Sequence, residues 1–300
     1  MSVLEELSAA TRRVVEKAEP ATVAIGSDRR GTGVVIGPGQ VLTNAHNLRD
    51  RTTEVTFADG RSVQAAAAGV DADGDLAVLT VDTADAPAIA WADAPSEVGD
   101  AVFAVSAGQR ARRVTFGLVS AVDRTFRGPR GRRVTGSIEH TAVLARGSSG
   151  GPLTDAEGRL VGLNTHRLGE GFYLAVPADA VLKERVAQLA AGLSPQRRRL
   201  GVALAPASVA ARLRRSVGLP RRAGLLVRGV EDGSVAARAG LRQGDLLVAV
   251  DERQLDTADD LFEILDGAAD TITLTVVRGA EELAVAVTFV ADAASEEGTA

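Results

Sequence analysis

The chain carries three histidines, His46, His140 and His166, so an imidazole acting as general base has few candidates. His46 closes Thr43-Asn44-Ala45-His46, directly after the apolar pair Val41-Leu42. The end of a strand is a rigid place from which to aim a side chain into a cleft. Ser149 lies in Gly147-Ser148-Ser149-Gly150-Gly151-Pro152-Leu153. Glycines around a serine allow backbone angles that a Cβ forbids, and they let N–H groups converge on one point, as a tetrahedral oxyanion requires. The Gly147 and Ser149 amides are the candidate donors of an oxyanion hole spanning Gly147, Ser148 and Ser149; a plain glycine-rich turn is the competing reading. Asp75 heads Asp75-Leu76-Ala77-Val78-Leu79. A carboxylate opening a buried strand needs a partner, and an imidazole N–H would satisfy it while fixing the His46 tautomer. Asp71 and Asp73 nearby read as turn residues. Jointly, His46, Asp75 and Ser149 are a candidate base, orienting acid and nucleophile for acyl transfer. His166 reads as a surface residue or a substrate contact, and no role is evident for His140.

The elements that would position these residues are short strands. After Pro20, runs such as ATVAIG, GTGVVIG, QVLTNA, EVTFADG, SVQAAAAGV, DLAVLTV, AVFAVSAG, VTFGLVSAV, LVGLNT and FYLAVP follow one another between Gly, Asp and Pro. Many β runs without intervening helices predict a mainly β barrel or sandwich. A helix is expected over 1–19, amphipathic from Ser2 to Lys17, with Ser2 and Glu5 at capping-box spacing, Leu4, Leu7, Val14 and Val15 on its apolar stripe, and Pro20 ending it. A second helix is expected over 178–191. Residues 1–192 then form the first domain and 193–199, with Ser-Pro and three arginines, a linker. Beyond it, strand-like LGVALA, GLLVRGV, LLVAVD, TITLTVVR and LAVAVTFV surround helix candidates at 234–239 and 258–265, the size of a small α+β domain over 200–290. An acidic tail occupies 291–300.

Composition removes several classes of function. Absence of cysteine excludes disulfides, thiol catalysis and Cys-based zinc sites, and neither a metal-ligand spacing nor a P-loop occurs, so no metal and no cofactor is expected. The net charge of −5 argues against nucleic acid as a partner, and the local arginine clusters read as a solvated loop and a linker. No apolar run is long enough for a membrane span, and no secretory signal is evident. As written, the chain reads as cytoplasmic, or as periplasmic or otherwise extracytoplasmic if a leader has been trimmed. Aromatics make up 3% of residues, so the cores must be built from Val, Leu, Ile and Ala.

The order His, Asp, Ser along an all-β segment is that of chymotrypsin-like proteases. TNAH, DLAVL and GSSGGPL resemble the three signature motifs of the HtrA/Deg serine proteases. VVEKAEPATVAIG, GTGVVIGPGQVLTNAH, VTFGLVSAVDR, LVGLNT and YLAVP extend the likeness across the first domain. Leu200-Gly201-Val202 resembles the carboxylate-binding loop of a bacterial PDZ domain, and GSVAARAGLRQGDLLVAVDERQL its central part. The resemblance implies a chymotrypsin-like double β-barrel with the triad in its cleft, followed by a PDZ domain. It implies ATP-independent cleavage of unfolded or damaged proteins, with PDZ capture of C-terminally exposed polypeptides by strand addition. A homotrimer belongs to the same implication, although the aromatic residues through which relatives associate are missing from this N-terminal helix. A peptide-binding adaptor that keeps the shell without turnover is the alternative.

Departures from the family pattern fall at Thr141, Ala145-Arg146 and Ser148, where relatives usually carry Asp, Asn-Pro and Asn. Ser148 also lacks the carboxylate that digestive trypsins pair with a newly cut N-terminus, so activation of that kind is not expected. Six residues before the nucleophile stands Val143, which by the trypsin analogy makes the primary specificity pocket apolar and suited to small aliphatic residues; Thr165, His166 and Leu174 are further candidates for its walls.

Overall fold

The computed structural model describes residues 2–108, 111–127, 133–169, 171–195, 198–205, 207–216, 218–220 and 222–289. The acidic tail expected at 291–300 lies outside them. The chain divides into two compact units, Met1–Pro195 and Gln196–Ala300.

The first unit opens with helix α1, Val3–Ala18, held at its start by the Ser2–Glu5 capping box. Its buried residues are Ala10, Val14 and Ala18, with Leu7 half-buried beside them, whereas Leu4 and Val15 of the expected stripe are 74% and 39% exposed. Leu7 and Val14 of the expected stripe therefore face the core, and Ala10 and Ala18 share that face with them.

Among the described residues, twelve strands follow. β1 (Thr22–Ile25), β2 (Gly31–Gly37), β3 (Gln40–Thr43), β4 (Thr52–Thr56), β5 (Ser62–Asp71) and β6 (Leu76–Thr80) close into one antiparallel barrel in the order β1-β2-β3-β6-β5-β4. β7 (Ala101–Ser106), β8 (Arg113–Arg127), β9 (Arg133–His140), β10 (Pro152–Thr154), β11 (Leu160–Arg167) and β12 (Tyr173–Pro177) close a second barrel in the order β10-β11-β12-β9-β8-β7. Counted within each barrel, the two orders are the same, so the first unit is one architecture used twice. Full closure leaves neither sheet an open edge.

Val23, Ile25, Val35, Val41, Val55 and Leu79 fill the first barrel; Val102, Val119, Ile138 and Leu153 fill the second. A further core joins them, with Val34, Leu42, Phe103, Val105, Leu160 and Leu163 packed against α1 and against α2, Ala180–Ala190. As the composition requires, branched aliphatics dominate. Asp179 caps α2 by accepting from the Leu182 amide at 2.8 Å.

β9 and β10 have no counterpart among the strand runs read from the sequence. β9 contains only two large apolar residues, Val134 and Ile138, four apart, so it lacks strand alternation; β10 is three residues long.

The second unit is one antiparallel sheet with helices. Its strands are β13 (Val202–Ala205), β14 (Leu225–Val230), β15 (Leu246–Val250), the short β16 (Arg253–Gln254), β17 (Thr271–Arg278) and β18 (Glu281–Thr288), in the order β13-β14-β15-β17-β18 with β16 beside β15. Helices α3 (Ala207–Ser216), α4 (Val235–Arg238) and α5 (Ala258–Asp266) complete it, and α3 was not anticipated. Leu225, Val227, Leu247, Leu261, Leu265, Leu274 and Val276 form its core. The arrangement bears out the mainly β fold class, with two barrels followed by a small α+β unit.

Candidate active site

β3 ends at Thr43 and runs into a single 3-10 turn, Ala45–Asn47, which carries His46. Asp75 sits just before β6 in the left-handed region (φ 56°), a conformation that Asp tolerates better than most residues. The Asn44 carboxamide donates to the Asp75 carbonyl at 2.9 Å and steadies this backbone. The Asp75 carboxylate is buried and accepts three donors. The His46 backbone N–H reaches Oδ1 at 3.0 Å, the Thr165 hydroxyl reaches Oδ2 at 3.1 Å, and His46 Nδ1 lies 2.9 Å from Oδ1 and 2.7 Å from Oδ2. With Nδ1 donating, the lone pair of Nε2 is free to accept a proton. Asp71 behaves as a turn residue, accepting from the Gly74 amide at 2.8 Å, with Arg185 3.6 Å away.

Ser149 is half-buried. Its hydroxyl donates to the Thr165 carbonyl at 3.1 Å, so attack requires the hydroxyl to turn towards His46. The residues before it form a tight turn with Gly147 at φ 84° and the Ser148 amide donating to the Ala145 carbonyl at 3.2 Å. That bond corrects the inclusion of Ser148 among the oxyanion donors, because its N–H is already committed. Among the described residues, the Gly147 and Ser149 amides have no acceptor, and the peptide joining Arg146 to Gly147 is bonded at neither end.

Two residues expected on the specificity pocket are elsewhere. The Thr165 side chain is buried and bonded to Asp75 instead of lining a pocket, and Leu174 is wholly buried within the second barrel. A register shift between Asn164 and His166 in the β11–β12 pairing accounts for Thr165, since strict alternation breaks there. Val143 is exposed and its carbonyl accepts from the Thr115 hydroxyl at 2.8 Å. His166 is also exposed and stacks on Phe126. Asn44, Asn47, Thr32 and Asn164, none of them singled out in the sequence, all bond to the backbone around the triad.

His140, on β9, is fully buried beside Tyr173, and among the described residues neither ring nitrogen has a partner within hydrogen-bond geometry. Burial lowers its pKa to about 4; the nearby Asn164 carboxamide opposes the shift only in part. The unfolded chain therefore binds a proton at higher pH than the folded one. Stability is fully present above about pH 6.5 and falls as the pH drops towards 4, by about 3 kcal/mol for this group. Chemical denaturation between pH 4 and 7 checks this: His140→Leu is expected to flatten the acid limb by roughly that amount, and an unchanged limb would refute it.

In the second unit, Gly201 adopts φ 76°, and a Cβ there would overlap the Ser234 side chain. Its carbonyl accepts from Glu231 at 2.8 Å, and the Leu200 carbonyl from Ala236 at 3.0 Å, while the amides of Leu200 and Gly201 have no acceptor among the described residues. The Leu200 side chain is buried in the core, and Val202 begins β13, the terminal strand of the sheet.

A family model for the trypsin-like peptidase domain matches residues 31–163, and one for the PDZ domain matches 226–279, beyond Leu200–Val202. The probable periplasmic DegP-like serine endoprotease of Halomonas elongata is 32% identical over 269 residues, covering 86% of this chain and 56% of that protein. The chain belongs to the HtrA/Deg family of serine proteases. Another family member, the mitochondrial serine protease HTRA2 of Bos taurus, is 30% identical over 303 residues, covering 92% of this chain and 66% of that one. The chain thus spans between about half and two thirds of the length of these curated HtrA relatives. Among solved structures, the HtrA-type protease AlgW with a decapeptide shares the fold at TM-score 0.63 and 24% identity, over 93% of this chain and 97% of that one. A serine endoprotease from Yersinia pestis does so at TM-score 0.61 and 25% identity, over 93% and 96%. Among the described residues, no helix is long and apolar enough to cross a membrane.

Proposed function

We propose that this chain is a serine endopeptidase that cleaves unfolded or damaged polypeptides without ATP. Ser149 attacks the scissile carbonyl, and His46 Nε2 takes the hydroxyl proton. The Gly147 and Ser149 amides stabilise the oxyanion, and His46 returns the proton to the leaving amine. Water then hydrolyses the acyl-enzyme by the same route. The observation that carries the reading is the His46–Asp75 pair at 2.7 Å, with His46 Nδ1 committed to the carboxylate. Specificity for small aliphatic residues is part of the proposal, supported now by Val143 alone among the apolar candidates.

The second unit would take an extended C-terminal peptide along the open edge of β13, with the amides at Leu200 and Gly201 receiving the carboxylate. Its support is the terminal position of β13 and the two unoccupied amides. An extracytoplasmic setting suits the family, and a chain without cysteine folds equally in reducing and oxidising surroundings.

A silent peptide-binding adaptor finds support in one contact, the Ser149 hydroxyl turned to Thr165. A fluorophosphonate probe separates the readings. Covalent modification mapped to Ser149, together with digestion of denatured casein, is the expected result; no modification with or without added peptide ligand would leave the adaptor.

A further inference from the structure

The nucleophile lies in the second half of the two-barrel unit, but its loop is tied down by side chains of the first. Thr32, on β2, donates its hydroxyl to the Gly147 carbonyl at 2.6 Å and accepts the Ala107 amide at 3.2 Å. Its backbone N–H donates to the Ser149 carbonyl at 2.9 Å, and its own carbonyl accepts the Thr43 hydroxyl at 2.7 Å. Asn47, next to His46, donates from Nδ2 to the same Ser149 carbonyl at 2.9 Å and to the Thr43 hydroxyl at 3.0 Å. Thr32, Thr43 and Asn47 are all buried. Gly150, at φ 84°, lies so close that a Cβ would overlap the Thr32 carbonyl.

We infer that Thr32 and Asn47 are positioning residues that set the oxyanion hole, a role that rests on the serine-protease reading above. The two free amides belong to alternate peptide groups, Arg146–Gly147 and Ser148–Ser149. The peptides between and after them are held at both ends. In Gly147–Ser148 the carbonyl takes the Thr32 hydroxyl and the N–H gives to Ala145. In Ser149–Gly150 the carbonyl takes Thr32 N and Asn47 Nδ2, and the N–H gives to the Asn164 carbonyl at 2.7 Å. The Ser148 carbonyl accepts the Gly151 amide at 3.0 Å, which sets the plane of the second donor. With carbonyls anchored to β2, these peptides cannot rotate without leaving a buried acceptor unpaired. Among the described residues the Gly147 amide has no bond of its own, so its direction depends on the anchored peptide that follows. Because Asn47 shares the 3-10 turn of His46, one short segment holds both the base and the nucleophile's backbone.

The test compares Thr32→Val, Thr32→Ser and Asn47→Ala with wild type and Ser149→Ala. It measures kcat and KM on an internally quenched peptide with an aliphatic cleavage site, fluorophosphonate inactivation rates, the pH profile and the thermal midpoint. Thr32→Val, nearly isosteric but lacking the hydroxyl, is expected to lower kcat and the inactivation rate about 100-fold, with KM and the pH profile retained. Thr32→Ser should recover activity to within about threefold of wild type, and Asn47→Ala should lose about tenfold in kcat. A folded Thr32→Val with wild-type kcat overturns the inference, as does a serine variant impaired as badly as the valine one. If Thr32→Val does not fold, Asn47→Ala decides by the same kcat criterion. Wild type as inactive as Ser149→Ala would defeat the protease reading and the positioning role with it; an active wild type matched by both loop variants defeats the positioning role alone.

Discussion

Replacing Ser149 with alanine is expected to lower peptide-bond hydrolysis by about 10⁶-fold in kcat and to leave the fold intact. The two halves of that expectation have separate origins. The nucleophilic oxygen is lost entirely, and among the described residues its one bond is to the Thr165 carbonyl at 3.1 Å, worth about 1 kcal/mol. The loop itself is held by backbone groups that alanine retains: the Ser149 carbonyl on Thr32 and Asn47, Gly150 N–H on Asn164, and Gly151 N–H on Ser148. The two oxyanion donors survive for the same reason. The variant should therefore keep a residual rate of about 10³ to 10⁴ over the uncatalysed reaction, and it should still bind substrate. Initial rates on a quenched peptide, a mass spectrum after fluorophosphonate treatment and a thermal melt check the three statements. Activity within tenfold of wild type in a purified Ser149→Ala sample would mean that another group attacks.

Legibility of the molecule followed the distance over which each feature is specified. The proposed triad could be read because each member stands at a strand boundary with its own local pattern, TNAH, DLAVL and GSSGG, and the structure brings the His46 and Asp75 side chains together. Thr165 was misplaced because its direction depends on an irregularity in β11, and one step of register moves a side chain to the other face. Thr32 and Asn47 were invisible because their partners lie 115 and 102 residues away, and no local pattern marks such a pair. For α1 half of the expected stripe was right: Val14 is buried and Leu7 packs against the core, whereas Leu4 and Val15 face outwards and Ala10 and Ala18 complete the buried line. His140 shows no role in the sequence, and β9 turns it into the barrel core, where Tyr173 stacks on it. The identical order of the two barrels is a further non-local fact. It follows from pairings such as β1 with β4 and β7 with β10, not from strand spacing.

Asp75→Asn is expected to lower kcat by about 10⁴-fold with little change in KM, a larger loss than the isosteric exchange suggests. The carboxylate faces donors on both oxygens. Oδ1 takes the His46 backbone N–H at 3.0 Å; Oδ2 faces His46 Nδ1 at 2.7 Å and the Thr165 hydroxyl at 3.1 Å. An asparagine must put its NH₂ on one side. On the Oδ1 side it would meet a backbone N–H that cannot turn away, donor against donor, so the favoured orientation places NH₂ against Nδ1 and Thr165. The Thr165 hydroxyl can rotate to accept, but the imidazole accommodates a donor only by moving its proton from Nδ1 to Nε2. In that tautomer Nε2 has no lone pair for the Ser149 proton, and the charge formed on His46 during attack also loses its carboxylate. The side chain is buried and keeps its shape, so the melting temperature should shift little while fluorophosphonate inactivation slows in step with kcat. A variant within tenfold of wild type on both measures would show that Asp75 does not orient the base, and would move attention to Thr165 as the group holding the site together.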